Sequence, residues 1–366
     1  MAGNRRGRGM SIDERRREAH ESSKAQAQVY PIGHPRTWRQ RLRSYVVSRG
    51  IHVMCGSADG ICAAAANDIP LVRSAARLSW LKALGAVGIK SFMATSGLGY
   101  RYLCHTRDLA NFPFYHPRAY RAELELCAAW LREEENPVVY DVGANNGFFS
   151  THLAQMLVHR PSTIYAFEPV PTTFAKLVQS VQRLGLNDSI RPVAAAVVDN
   201  PGPVRISYSE RNSLHAQVID RNPNPRAGDK LAQAEGISLD DFYASVGVFP
   251  GLLKIDAEGS EVAVLRGAQR LLSRSDRPAI LLEYNPVTLR ECGVSTRTLL
   301  DLLSGYALYY VDDLRGQQIP FGSPVRDAEK IDWICNLFAV PLAENSARRW
   351  QSALTQSAPR AAVRDA

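Results

Sequence analysis

The sequence predicts a doubly wound α/β fold, with a mostly parallel sheet and helices on both faces, and three observations carry that expectation. Short apolar runs such as VVYDV at 138–142 and LLKI at 252–255 read as strands buried on both faces. Helical periodicity fills the intervals, as in Phe174, Leu177, Val178 and Val181 at i, i+3, i+4 and i+7. A glycine-bearing turn, DVGANNG at 141–147, joins a strand to a helix, where an open α/β sheet receives a nucleotide-like ligand.

The bulk composition suits one large or two ordinary domains: 366 residues, 45% of them apolar. No apolar run approaches the roughly 20 residues of a membrane helix, and the arginines near the start precede no secretory apolar segment. The six cysteines form no C-x-x-C pair, which argues against zinc and disulfides and for a cytoplasmic protein. Residues 1–50 hold 12 Lys and Arg against four Asp and Glu, so this segment alone accounts for the net charge of +8. The excess charge thus lies at the start of the chain, where residues 1–35 read as a basic tail expected to be disordered, and no basic, aromatic patch for nucleic acid follows.

Residues 36–135 read as a mainly helical region, closing in an amphipathic helix over 119–135 with Leu124, Cys127, Ala128 and Leu131 on one face. Residues 136–342 carry the strand–helix alternation. Strands are expected at 138–142, 163–167 and 190–198, separated by helices, the second of which stops at Gly185. Residues 201–236 interrupt the pattern with one short alternating piece and a long polar loop of the kind that either serves as a lid or is simply disordered. Strands at 252–256 and 279–284 follow, and 307–311 with 333–340 read as a closing antiparallel pair. A frayed tail is expected over 343–366.

Acidic residues stand where strands end. Glu168 lies about twenty residues beyond the glycine turn, the spacing at which a carboxylate accepts ribose hydroxyls. Asp199 ends the expected third strand and is a further candidate for cofactor binding. The turn is not G-x-G-x-x-G, because Asn145 occupies the region of the glycine that admits a pyrophosphate, and no G-K-[ST] loop for ATP is present. Asp141, just before the turn, suits a ligand bearing positive charge. These features together point to S-adenosylmethionine, which offers adenosine, ribose and a sulfonium without phosphate.

The stretches DVGANNGFFS, YAFEPVPTTFAKL, LLKIDAEGSEVAVLRGA and ILLEYNP, in this order, resemble the FkbM-type S-adenosylmethionine-dependent methyltransferases over about residues 120–340. The resemblance implies a class I methyltransferase (Rossmann-like) fold, a seven-stranded, mostly parallel sheet with a last antiparallel strand, here behind a helical N-terminal extension. It implies methyl transfer to oxygen on a saccharide-like or other small natural-product acceptor. Carried onto this chain, it assigns Asp141, Gly143, Asn145 and Gly147 to the cofactor turn and Glu168 to the ribose.

Lys254 and Asp256, both candidate catalytic residues, share a strand face at i, i+2. Asp256 is a candidate general base for an acceptor hydroxyl, or else orients the cofactor or binds Lys254. His215 is a second candidate base, delivered by the polar segment, against the reading of a solvent-exposed histidine. No metal site is assigned, although Asp256, Glu283 and Asn285 are oxygen ligands at neighbouring strand tips. Glu258 and Glu261 read as N-terminal helix charges, and His116 as a packing residue. Two rivals stay open: a cofactor-binding interaction protein without turnover, and a nicotinamide-dependent oxidoreductase, against which the glycine spacing argues.

Overall fold

The computed structural model describes residues 70–357 apart from 107, 109–113, 115–118, 210–212, 214–215, 220–227, 312–324, 327, 329–330 and 344. The basic segment 1–35, residues 36–69, His116, His215 and everything after Ser357 lie outside the described residues.

The chain opens with helix α1 (Pro70–Ala86) and a hairpin of β1 (Ser91–Thr95) and β2 (Arg101–His105), paired antiparallel. The expectation of a region without strands is corrected here. β2 is buried on both sides along most of its length and packs on helices further along the chain, so no polar alternation marks it. Its turn is closed by Gly99, whose N–H donates to the Ser96 carbonyl at 2.9 Å.

Helix α2 (Arg121–Leu131) leads into β3 (Val138–Val142), α3 (Phe148–Met156), β4 (Thr163–Phe167), α4 (Pro171–Leu184) and β5 (Ile190–Val193). Proline at the first position of α4 surrenders a donor that has no partner there, and Gly185 ends the helix at φ 69°. The expected strand 190–198 breaks at Ala194. β6 (Ala195–Val197) leaves the main sheet and pairs in a second one with β7 (Gly202–Tyr208), β8 (Gln217–Val218) and β9 (Lys230–Ile237), in the order β6-β9-β7-β8. Much of the expected polar loop is therefore sheet. β9 escapes sequence reading because Ala232, Ala234 and Gly236 fill the positions where strands usually show β-branched residues.

The chain then returns through α5 (Leu239–Val246), β10 (Leu252–Ile255), α6 (Glu261–Arg266), α7 (Gln269–Leu272), β11 (Ala279–Tyr284), α8 (Pro286–Glu291), α9 (Thr296–Leu302), β12 (Tyr306–Tyr310) and β13 (Cys335–Pro341). The main sheet runs β12-β13-β11-β10-β3-β4-β5. The pairs from β11 to β5 are parallel, and β13 is antiparallel to both its neighbours. This is the seven-stranded, mostly parallel sheet with a reversed strand that the resemblance implies. Strand parity assigns its faces: Val139, Leu252 and Leu281 join α2, α3 and α4 in one core, while Tyr140, Leu253, Ile255 and Leu282 join α5 to α9 in the other. Connections diverge to either side at β3 and β10, which opens a crevice at their carboxyl ends.

The expected frayed tail is corrected as well. Residues Ser346–Ser357 form helix α10, which lies along α2. Trp350, 1% exposed, stacks on Phe338 of β13 at 5.2 Å between ring centroids and meets Tyr309 of β12 at 4.2 Å. Trp350→Ala is expected to cost about 3–5 kcal/mol of unfolding free energy, read as a lowered urea midpoint with an unchanged slope.

Candidate functional site

The crevice is built around the turn after β3. Three residues in it have left-handed backbone, Gly143 at φ 75°, Asn145 at 52° and Gly147 at 84°. The N–H groups of Gly143 and Ala144 both donate to the Phe167 carbonyl, tying the turn to the tip of β4. The reason for glycine at 143 lies across the sheet: a Cβ there would stand 1.7 Å from the carbonyl oxygen of Asp256. Gly147 caps α3 and gives room to Leu177 of α4. Gly143 and Asn145 line the cavity, whereas Gly147 supports it from behind.

Asp141 and Lys254 are register partners on neighbouring strands and point to the same face. Asp141 is fully buried beneath the turn and is absent from the cavity wall, which corrects its reading as the counter-charge of a ligand. It accepts a hydrogen bond from Ser150 at 2.5 Å and pairs with the Lys254 ammonium at 3.1 Å. Lys254 reaches Asp256 at 3.4 Å and donates to the Gly143 carbonyl at 2.9 Å. Burial works against its charge, but Asp141 and Asp256 outweigh it and hold the ammonium firmly protonated. Lys254 thus ties β10 to β3 as a fixed cation and has no lone pair to offer as a base. Asp256 lines the cavity beyond it.

Glu168, at the tip of β4, is 5% exposed and lines the cavity. One carboxylate oxygen accepts the N–H of Val170 at 2.9 Å and the other that of Asn145 at 3.0 Å. Burial raises its pKa to about 7, the two backbone N–H groups opposing the rise. The wall beside it is apolar: Phe167 and Val197 from one side, Ile206, Ala216 and Val218 of the second sheet from the other.

Asp199 does not reach the cavity. The strand break at Ala194 spends Ala195, Ala196 and Val197 on the wall and carries Asp199 beyond it, beside Gly267. Asn285 is likewise committed elsewhere, accepting the N–H groups of Val287 and Thr288 as the cap of α8. Glu258 takes its place in an acidic trio with Asp256 and Glu283, whose ligand-capable oxygens lie within 4.8 Å of one another. Burial, with Asp256, Glu258 and Glu261 nearby, pushes the Glu283 carboxyl well above the usual range. Glu261 folds back to accept the N–H groups of Ala257 and Gly259, so it holds the loop more than the helix end.

Several contributors escaped sequence reading. Tyr120 and Phe148 line the cavity near Asp256, and Ser213 lies within the polar segment. The alternation of Val204, Ile206 and Tyr208 was the only local sign of the second sheet's wall.

The donor set fits S-adenosylmethionine. Among the described residues Lys254 is the one basic side chain on the wall, and two carboxylates already engage it, so a pyrophosphate finds no counter-charge there. A buried carboxylate beside an apolar slot suits an adenosyl group.

Residues 141–309 match the family model described as the methyltransferase FkbM domain. The chain is 25% identical over 208 residues to hexuronic acid methyltransferase AglP of Haloferax volcanii, covering 55% of this chain and 79% of that protein. It is 27% identical over 195 residues to 2-O-methyltransferase NoeI of Sinorhizobium fredii, covering 49% and 75%. It is 30% identical over 159 residues to 31-O-demethyl-FK506 methyltransferase FkbM of Streptomyces tacrolimicus, covering 36% and 59%.

Lys254→Met leaves the buried Asp141 without its cation and is expected to cost about 3–5 kcal/mol of stability. Adding Asp141→Asn should recover part of that loss in urea unfolding, because the uncompensated charge is then gone.

Proposed function

Because this chain carries a methyltransferase FkbM domain across residues 141–309, we propose that it moves a methyl group from S-adenosylmethionine to a hydroxyl of a saccharide-like or other small natural-product acceptor. The observation that carries the cofactor reading is Glu168, a buried carboxylate fixed by two backbone N–H groups beside an apolar slot. Its second lone pairs accept the ribose hydroxyls. Similarity to a 2-O-methyltransferase and a 31-O-demethyl-FK506 methyltransferase supports oxygen as the accepting atom, and similarity to a hexuronic acid methyltransferase supports a saccharide-like acceptor.

When bound, the cofactor supplies an electrophilic methyl group on a sulfonium, and displacement there is governed by alignment. The chain's own work is to align the acceptor and to take its proton. Asp256 lies at the carboxyl end of β10 on the cavity wall, and in this reading it draws the proton from the acceptor oxygen. Lys254 holds Asp256 in place and fixes the Gly143 carbonyl, so it is a positioning residue. No helix among the described residues is long and apolar enough to cross a membrane.

Calorimetry with S-adenosylhomocysteine tests the cofactor site. Glu168→Ala is expected to weaken binding about a hundredfold, since it removes hydrogen bonds to a charged group each worth about 1.5–3 kcal/mol. Unchanged affinity would remove Glu168 from the ribose. The pH dependence has a definite sign. Below a pKa of about 7 the protonated Glu168 is a poorer acceptor, so affinity strengthens as pH rises through neutrality. Glu168→Gln should flatten that profile.

Incubation with labelled cofactor and cell extract, followed by mass spectrometry of the labelled product, identifies the acceptor. With that acceptor, Asp256→Asn is expected to lower turnover by about 10²–10⁴ while leaving cofactor affinity intact. Equal loss of both would reassign Asp256 to cofactor binding.

A further inference from the structure

Four side chains from separate stretches of the chain meet at the turn, and the roles given above leave their contacts unused. Asp108, 2% exposed, precedes α2 and pairs with Lys176 of α4. It accepts the backbone N–H of Ser213 at 3.3 Å, and the Ser213 hydroxyl lies 3.1 and 3.0 Å from its two oxygens. Ser213 in turn grips Asn145: its carbonyl accepts from Asn145 Nδ2 at 2.9 Å, and its Oγ lies 2.8 Å from Asn145 Oδ1.

The amide of Asn145 has one workable orientation. Its Oδ1 also accepts the Asn146 N–H at 2.7 Å, so turning it over would set donor against donor there and acceptor against acceptor at the Ser213 carbonyl. The Ser213 hydroxyl has one proton for three oxygens within 3.1 Å, and it is therefore shared between Asp108 and Asn145. What this grip fixes is the left-handed backbone of Asn145 at φ 52°, an unfavourable region for a side-chain-bearing residue. That backbone conformation aims the Asn145 N–H at Glu168.

We infer that Asp108 and Ser213 are positioning residues of the cofactor site, acting through Asn145 on Glu168, so that chain preceding the matched domain helps complete that site. Asp108 lies 33 residues before the family match begins at residue 141. Loss of a hydrogen bond to a charged group loosens the Asn145 turn, and the loss is felt by a ligand that Glu168 holds. The inference rests on the proposed cofactor reading, and its test separates the two.

The full chain is titrated calorimetrically with S-adenosylhomocysteine, at a temperature well below the unfolding transition of each variant. Asp108→Asn is expected to raise Kd about tenfold. Ser213→Ala, which keeps the ion pair of Asp108 with Lys176, should raise it similarly and serves if Asp108→Asn folds poorly. Asn145→Gly adopts the left-handed turn without the gripped amide. In that background Asp108→Asn should add little further loss of affinity, while its effect on thermal stability persists. A role in folding alone predicts the opposite: lowered melting temperatures with wild-type Kd, or losses of affinity that simply add, and either overturns the inference. Absence of binding by the wild-type chain instead overturns the cofactor reading itself, and the inference falls with it.

Discussion

One ammonium group, that of Lys254, lies between Asp141 and Asp256 and ties the two central strands at their tips. Everything at the crevice depends on that contact. It makes a fully buried carboxylate tolerable, because an uncompensated charge at Asp141 would be strongly destabilising. Through the Gly143 carbonyl it fixes the turn after β3, and through Asp256 it fixes the loop after β10. The same contact brings the two backbones so close that no side chain fits at residue 143. The two walls of the cavity are consequently one rigid piece, a property that in-line methyl displacement rewards.

Around that rigid piece the environment separates carboxylates by role. Asp141 is held by a cation and sits out of reach of any ligand. Glu168 is buried with backbone donors and titrates near neutrality. Glu283 belongs to a cluster of like charges and keeps its proton to unusually high pH. Burial and neighbouring charges thus set identical functional groups to different tasks around one turn.

Most of the main sheet was legible because its strands are buried on both faces and read as unbroken apolar runs. The motif order DVGANNG, FEP and KIDAEG likewise located the tips that meet at the cavity. What resisted reading had identifiable causes. The β1–β2 hairpin lacks alternation because β2 is covered on both sides, and β9 is made of small residues. A residue's position at a strand end does not say which way it points: Asp141 turned inward, and Asp199 was carried past the cavity by a one-residue break at Ala194. Ser213 had no signal at all, because its partners lie 68 and 105 residues away in sequence. Trp350 was dismissed with a polar tail although a tryptophan there needs burial.

The position of β13 between β11 and β12 bears on how the chain folds. β13 is the last strand among the described residues, yet its slot lies inside the sheet. Until residue 341 has left the ribosome, β11 presents an open edge of backbone donors and acceptors, and β12 has nothing to pair with on that side. Completion of the sheet therefore waits on the synthesis of all its other strands, and helix α10 can seal it only afterwards. Such late, long-range insertion is slow and leaves an adhesive edge exposed in the interval. The nascent protein is most vulnerable to aggregation when the strands that line its cavity are already synthesised.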